Sequence, residues 1–364
     1  MSNPLFNPFS CKGLSLPNRI VMAPMTRSQS PGGVPTAAVA QYYAKRAAAD
    51  VGLIITEGTV INRGGASNDP NIPEFYGKKS LTAWKAVAEG VHKAGGKIAP
   101  QIWHMGLVRK AGTGRQPDAV TDSPSGVTHD GKSVATAPTD SEIADIVMAY
   151  ANAAGQAGKL GFDTVEIHGA HGYLIDQFFW DVMNKREDKF GGDLIGRANF
   201  ASEIIRECKK QMADDMPLIL RFSQWKQQDY KARLADTPQK LENLLGVFVD
   251  AGIDILHCSQ RRFWEAEFDG SDLNLAGWAK KLTGLPTISV GSVGLEGDFF
   301  GSFSGKGSKT APLEMLYERM ERGEFDLIAV GRAILQDPHW ATKVKEGRMD
   351  ELQPFTAASL ATLS

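Results

Sequence analysis

Two imidazoles and a phenol fall within one six-residue span, at His168, His171 and Tyr173, inside the stretch DTVEIHGAHGYLIDQ at 163–177. A short apolar run leads to His168 and stops there, so the three groups stand where a strand opens into a loop. Imidazole N–H groups can grip an oxygen that gains negative charge. A phenol, with a reference pKa of about 10, stays protonated at neutral pH and can deliver a proton. A lone histidine here reads first as a satisfied core residue; two histidines and a tyrosine together read as a catalytic cluster. The H-x-x-H spacing also occurs at metal sites, but no Glu or Asp completes it as in H-E-x-x-H, so no metal is assigned.

The elements that must position this cluster are legible as an alternation of short β-branched runs with longer amphipathic ones. Strands are expected near 19–23, 51–57, 97–103, 163–168, 217–222, 253–258, 287–290 and 327–330. Helical patterns such as 81–94, 140–159, 199–212 and 239–250 lie between them, several ending close to a Gly. Eight strand-helix units in 364 residues are the arithmetic of an α/β fold, a (β/α)8 TIM barrel forming one domain over 1–364. A doubly wound sheet is the alternative, but it lacks its GxGxxG loop after the first strand. The long segment 107–139, rich in Gly, Ser, Thr, Pro and Asp, is expected to be a lid inserted after strand three. A second insert, 295–309, is expected to be mobile.

A barrel does its chemistry at the C-terminal ends of its strands. Those positions here hold Ala23-Pro24-Met25-Thr26-Arg27, Thr56-Glu57-Gly58, Gln101-Ile102-Trp103-His104, the His168 to Tyr173 cluster, Arg221-Phe222-Ser223, Gly291-Ser292-Val293-Gly294 and Gly331-Arg332. The formal charge of −2 is spread without long runs of one sign, which points to a small-molecule partner rather than nucleic acid or a membrane surface. Cys11, Cys208 and Cys258 form no CxxC pair, so neither a disulfide framework nor a metal knot is expected, in keeping with a reducing cytoplasm. The opening MSNPLFNPFS has no signal-peptide pattern, and no window reaches the roughly 20 apolar residues of a membrane span.

Taken together, these strand ends resemble the old yellow enzyme family of flavin-dependent ene-reductases, over nearly the whole chain from about Pro4 to Arg348. The resemblance is carried by LFNPF, LPNRIVMAPMTR, TEG, QIWHMG, HGAHGYLIDQF, NKREDKFGG, LRFS, VGSVG and VGRA, in the family's order and spacing. It implies noncovalent FMN across the barrel mouth, reduced by NAD(P)H, with an α,β-unsaturated carbonyl or nitro compound as substrate. By the same resemblance the FMN phosphate falls to Gly291, Ser292, Val293, Gly294, Gly331 and Arg332, where barrels commonly bind phosphate through backbone N–H groups. Arg221 is implied beside flavin N1 and the C2 carbonyl, Gln101 at the pyrimidine edge and Thr26 at O4. Ala23, Pro24, Met25 and Gly58 border the ring.

For the substrate, the resemblance assigns His168 and His171 to the carbonyl oxygen and Tyr173 to protonation, while Trp103, Trp225, Phe263 and Phe355 line the pocket. Many relatives carry Asn where this chain has His171. The loop signature at Asn184, Arg186, Asp188, Gly191 and Gly192 reads as structural, and this chain departs from it with Phe190 in place of a tyrosine. Two readings of other classes stand beside this one. A flavin-free barrel lyase or isomerase should show a lysine or a carboxylate cluster at a strand end, and none is found. A flavin-binding barrel without turnover would not need Tyr173. The physiological substrate, the choice between NADPH and NADH, and the choice between monomer and homodimer stay open.

Overall fold

The β-branched runs close into one all-parallel barrel in the computed structural model, which describes residues 3–297, 301 and 305–364. A small antiparallel hairpin comes first, β1 (Phe9–Cys11) and β2 (Leu14–Leu16). The barrel strands are β3 (Ile20–Met22), β4 (Leu53–Val60), β5 (Lys97–Trp103), β6 (Val165–His171), β7 (Leu218–Lys226), β8 (Ile255–Ser259), β9 (Thr287–Val290) and β10 (Leu327–Val330). Each pairs with its neighbours in sequence, and β10 closes the ring onto β3.

The two-residue strand period divides the apolar side chains between two cores. Val21, Leu53, Ile55, Ala99, Ile219, Ile255, Ile288, Leu327 and Ala329 form a separate cluster of buried residues. Ile20, Met22, Ile54, Ile98, Leu218, Leu220, Leu256 and Ile328 instead pack in the layer shared with the helices. The hairpin adds Phe9, Leu14 and Leu16 to the first cluster, and Gly13 N donates to Asp215 O at 2.8 Å, just ahead of β7. It therefore closes the barrel at the end opposite the strand-end residues. Three-residue strands around a Lys-Gly turn offer too little periodicity to be seen in the sequence.

The helices are set by their caps. Thr36 caps α1 (Ala37–Ala48), α2 (Lys78–Lys93) follows β4, and Thr139 with Glu142 forms a capping box on α3 (Asp140–Lys159). A short helix α4 (Leu174–Phe179) starts directly after Tyr173. Helix α5 (Leu194–Gln211) begins earlier than its apolar periodicity indicates, because the Asp193 carboxylate accepts from Gly196 N at 2.8 Å. Thr237 and Asn274 cap α6 (Pro238–Asp250) and α7 (Leu275–Thr283).

Strands β4, β6 and β7 run further than expected, to Val60, His171 and Lys226. In β4 and β6 the extension passes through a register shift, between Ile55 and Gly58 and between Gly169 and His171. Bulges of this kind re-aim side chains, and here they do so at the functional strand ends. Segment 107–139 holds little regular structure and is fixed by buried polar contacts. Arg109 reaches the carbonyls of Thr113, Gln116 and Ala119, while Asp122 receives Arg63 and His104. Of the insert 295–309, residues 298–300 and 302–304 lie outside the described residues. Its flanks are joined by the bridges Leu295 to Thr310 and Ser308 to Phe355. No helix among the described residues is long and apolar enough to cross a membrane.

Candidate active site

The C-terminal strand ends open onto one cavity of about 420 Å³. Ala23, Pro24, Met25 and Thr26 line it after β3, followed by Gly58 from β4 and Gln101 and Trp103 from β5. His168 and His171 enter from β6, Tyr173 from the turn beyond, and Arg221 and Trp225 from β7. Gly291, Ser292 and Val293 follow β9, and Gly331 and Arg332 follow β10. Segment 107–139 contributes no residue to this wall.

Three expected site residues stand outside the wall. Phe355 is buried with the Arg332 guanidinium 5.5 Å over its ring, so it backs that arginine instead of facing the cavity. Phe263 is tied down by its backbone, with N donating to Gly291 O and O accepting from Asn274 Nδ2, and its ring meets Trp264 edge-on. Gly294, at φ 67°, turns the chain against Trp340. Several wall residues escaped the sequence reading, among them Gln227, Ser259, Gln260, Arg261 and Leu360. The strand-end rule would have found Ser259, Gln260 and Arg261 after β8. Nothing local marks Leu360, which is brought in because Arg27 Nη2 contacts the carbonyls of Ser359, Leu360 and Thr362.

His168, His171 and Tyr173 form one contiguous group. The two imidazoles meet edge-on at 5.1 Å, and Tyr173 meets His168 edge-on at 5.0 Å. Trp103 packs edge-on against Tyr173 from the other side at 5.0 Å. His171 takes a left-handed φ of 64°, costly for a residue with a Cβ, and the loop around it is strongly tied. His171 N donates to Ser223 Oγ, and Gly172 N donates to Asp176 Oδ2. Asp176 Oδ1 in turn pairs with Lys226 Nζ at 2.6 Å, both side chains fully buried.

Protonation follows from these surroundings. Burial, and then the Arg221 cation, hold both histidines well below the usual imidazole range, so both are neutral. His168 Nδ1 accepts from Ala170 N at 3.2 Å, which places its single proton on Nε2. Burial raises the Tyr173 phenol, and its oxygen accepts from Gln227 Nε2 at 3.1 Å. The phenol therefore keeps its own proton to donate.

Beneath this group a second polar network crosses the barrel. Glu166 accepts from Gln101 Nε2 at 2.7 Å through one oxygen, and its other oxygen lies 2.6 Å from His257 Nδ1. Gln101 thus keeps its carbonyl and one N–H for anything in the cavity. Gly58 is closely packed, since a Cβ there would stand 3.0 Å from Trp103 Cε3 and 3.4 Å from Gln101 Oε1.

The wall carries Arg27, Arg221, Arg261 and Arg332 and, among the described residues, no Asp or Glu. Arg221 is buried and its Nε has no partner among the described residues, so the wall has donor capacity suited to an anionic or electron-rich group. Ser292 is held at φ 49°, and Gly291 at φ 140° lies so close to the 260–262 backbone that a Cβ would meet it at 2.8 Å. Arg332 Nη2 reaches Gly297 O and Ser292 Oγ, bracing the two loops together. Glycine-containing loops flanking an arginine can offer backbone N–H groups and positive charge to a phosphate ester, and the donors further in suit a heteroaromatic ring.

Comparison with known proteins gives this arrangement its class. The profile of the NADH:flavin oxidoreductase / NADH oxidase family matches residues 4–299. The chain is 34% identical over 355 residues to 12-oxophytodienoate reductase 7 of Oryza sativa subsp. japonica, covering 92% of this chain and 86% of that protein. It is 31% identical over 344 residues to the NADPH dehydrogenase of Bacillus subtilis (strain 168), covering 94% of each. The solved structure of the old yellow enzyme homologue from Zymomonas mobilis superposes with a TM-score of 0.79 at 27% identity, over 99% of this chain and 97% of that one.

The chain belongs to the NADH:flavin oxidoreductase / NADH oxidase family, the family of the old yellow enzymes. Within it, this is an FMN-dependent ene-reductase that draws its electrons from NAD(P)H, and the flavin-free lyase or isomerase reading gives way. The donors on the cavity wall fit that cofactor: Gly291, Ser292, Gly331 and Arg332 lie after β9 and β10, and Thr26, Gln101, Arg221, His168, His171 and Tyr173 line the same cavity.

Proposed function

We propose that the enzyme saturates the activated double bond of enones and enals, and reduces nitro compounds, with His168 and His171 holding the substrate oxygen and Tyr173 supplying the proton. When bound and reduced by NAD(P)H, FMN supplies a hydride to the substrate β-carbon. His168 presents Nε2–H to the oxygen as enolate charge grows on it, and His171 adds a second donor, as an oxyanion hole does. Both act as neutral donors, so neither loses a proton to the oxygen it holds. Tyr173 then gives its phenolic proton to the α-carbon. Arg221, a buried cation, would offset negative charge on a reduced flavin, and Gln101 and Thr26 would hold the ring through hydrogen bonds. Met25, Trp103 and Trp225 form apolar walls that exclude water, and Arg332 with residues 291–293 holds the phosphate.

The observation that carries this reading is the convergence of His168, His171 and Tyr173 on one cavity, in protonation states that leave donors available. A para-substituted phenol tests it, because its oxygen imitates the enolate and its ring stacks on oxidised flavin, raising a long-wavelength charge-transfer band. His168→Ala and His171→Ala should each weaken phenol binding by about 1.5 to 3 kcal/mol, the usual value of a hydrogen bond to a charged group. Titrations identical to wild type in both variants would show that the pair points elsewhere.

A further inference from the structure

The two histidines of the clamp do not offer the same nitrogen. His168 spends Nδ1 on Ala170 N and has Nε2 left. His171 spends Nε2, which lies 2.8 Å from Ser259 Oγ, and has Nδ1 left. A neutral imidazole carries one proton. Nδ1 of His171 is therefore a donor only when Nε2 acts as the acceptor; in the other tautomer Nδ1 turns a lone pair on the substrate oxygen and repels it.

Ser259 decides between these states. It is the last residue of β8, and its hydroxyl has a single proton to place. Arg221 Nη2 approaches that oxygen at 3.4 Å, and a guanidinium can only donate. Arg221 supplies a donor to that oxygen, and His171 Nε2, 2.8 Å away, is an acceptor within reach of the serine proton. The ring has little freedom to escape the contact. Trp225 stacks on it at 4.6 Å, and the indole Nε1–H of Trp225 is itself anchored on Ser259 O at 3.1 Å. The His171 backbone is fixed through Ser223.

We propose that Ser259 is a positioning residue: by donating to His171 Nε2 it locks the Nδ1–H tautomer and so makes His171 a donor to the substrate oxygen. The chain Arg221, Ser259, His171 also ties this donor to the arginine at the flavin. The role in substrate binding rests on the oxygen clamp proposed above, whereas the tautomer can be read with no substrate present.

The test is a long-range proton–nitrogen correlation spectrum of the FMN-loaded enzyme labelled with ¹⁵N-histidine, the seven histidines being few enough to resolve, with His171 assigned by its absence in His171→Ala. Wild type should show His171 protonated at Nδ1, with Nε2 in the unprotonated range. Ser259→Ala should shift the ring toward the Nε2–H form, and Ser259→Thr, which keeps the hydroxyl, should restore the wild-type pattern. Phenol affinity should follow, falling about tenfold in Ser259→Ala, the size of one lost hydrogen bond, and returning in Ser259→Thr. An Nε2–H tautomer in wild type, or an Nδ1–H tautomer that survives in Ser259→Ala, overturns the proposal. If instead the clamp reading is wrong, His168→Ala and His171→Ala leave phenol affinity untouched while the tautomer result still stands or falls alone.

Discussion

Replacing Tyr173 by Phe removes one oxygen and little else. The ring keeps its edge-on contacts with Trp103 and His168, both at 5.0 Å, so the wall of the cavity stays in place. The lost oxygen accepts one hydrogen bond, from the exposed Gln227, and stability should drop by about 1 kcal/mol or less. Reduction of the flavin by NAD(P)H needs no proton from this residue and should proceed as in wild type. Saturation of an enone does need one. General acid catalysis is worth about 10² to 10⁴ in rate, or about 2.7 to 5.5 kcal/mol of barrier, and the oxidative half-reaction with cyclohexenone should slow by that factor. Nitro-group reduction should suffer less. Stopped-flow absorbance follows the two half-reactions separately under anaerobic conditions. An enone rate equal to wild type in Tyr173→Phe would show that another acid delivers the proton and that Tyr173 is only a wall.

Two further outcomes follow from the buried charges. Lys226→Met strands Asp176 in the core with Gly172 N as its only partner among the described residues and should destabilise by about 3 to 5 kcal/mol in denaturant titrations, while Lys226→Met with Asp176→Leu should lose less; a single variant as stable as wild type contradicts this. His168, His171 and His257 are all depressed by burial below the ordinary value of about 6.5. Unfolded chains take up protons there that the folded protein refuses, so stability is full above that value. It should fall as pH drops below it, by up to about 1.4 kcal/mol per pH unit for each histidine. Glu57, pushed up to about 7 by burial, acts with the opposite sign, its contribution being lost as pH rises through 7. The comparison of wild type with His168→Asn between neutral and mildly acid pH therefore isolates one histidine, and equal slopes would refute the assignment.

The barrel was legible because each strand-helix unit repeats one signal, an apolar run followed by an amphipathic one, and strands β5, β9 and β10 fall where that signal puts them. What escaped had no periodic signature. The hairpin is too short, and the extensions of β4 and β6 pass through bulges that break the two-residue period. Most wall residues were visible because chemistry collects at strand ends. Phe263 and Phe355 fall outside the cavity wall, a distinction no sequence pattern carries, because an aromatic residue near a strand end looks the same whether it faces the cavity or backs an arginine. Arg27 shows the opposite failure. Its contact with the carbonyls of 359–362 spans more than 300 residues of sequence, and no local pattern could reveal it. The Ser259 contact with His171 is of the same kind, joining two strand ends 88 residues apart.

In the proposed reaction this cavity holds FMN and passes electrons from NAD(P)H to an activated double bond. The most direct measurement is the visible spectrum of the purified protein, recorded anaerobically as prepared, after NADPH, and again after cyclohexenone. The protein should show flavin bands that heat or acid release as free FMN, that bleach with NADPH and that return with the enone. A colourless protein that takes up no FMN, or bands that bleach but recover only when oxygen is admitted, would contradict this.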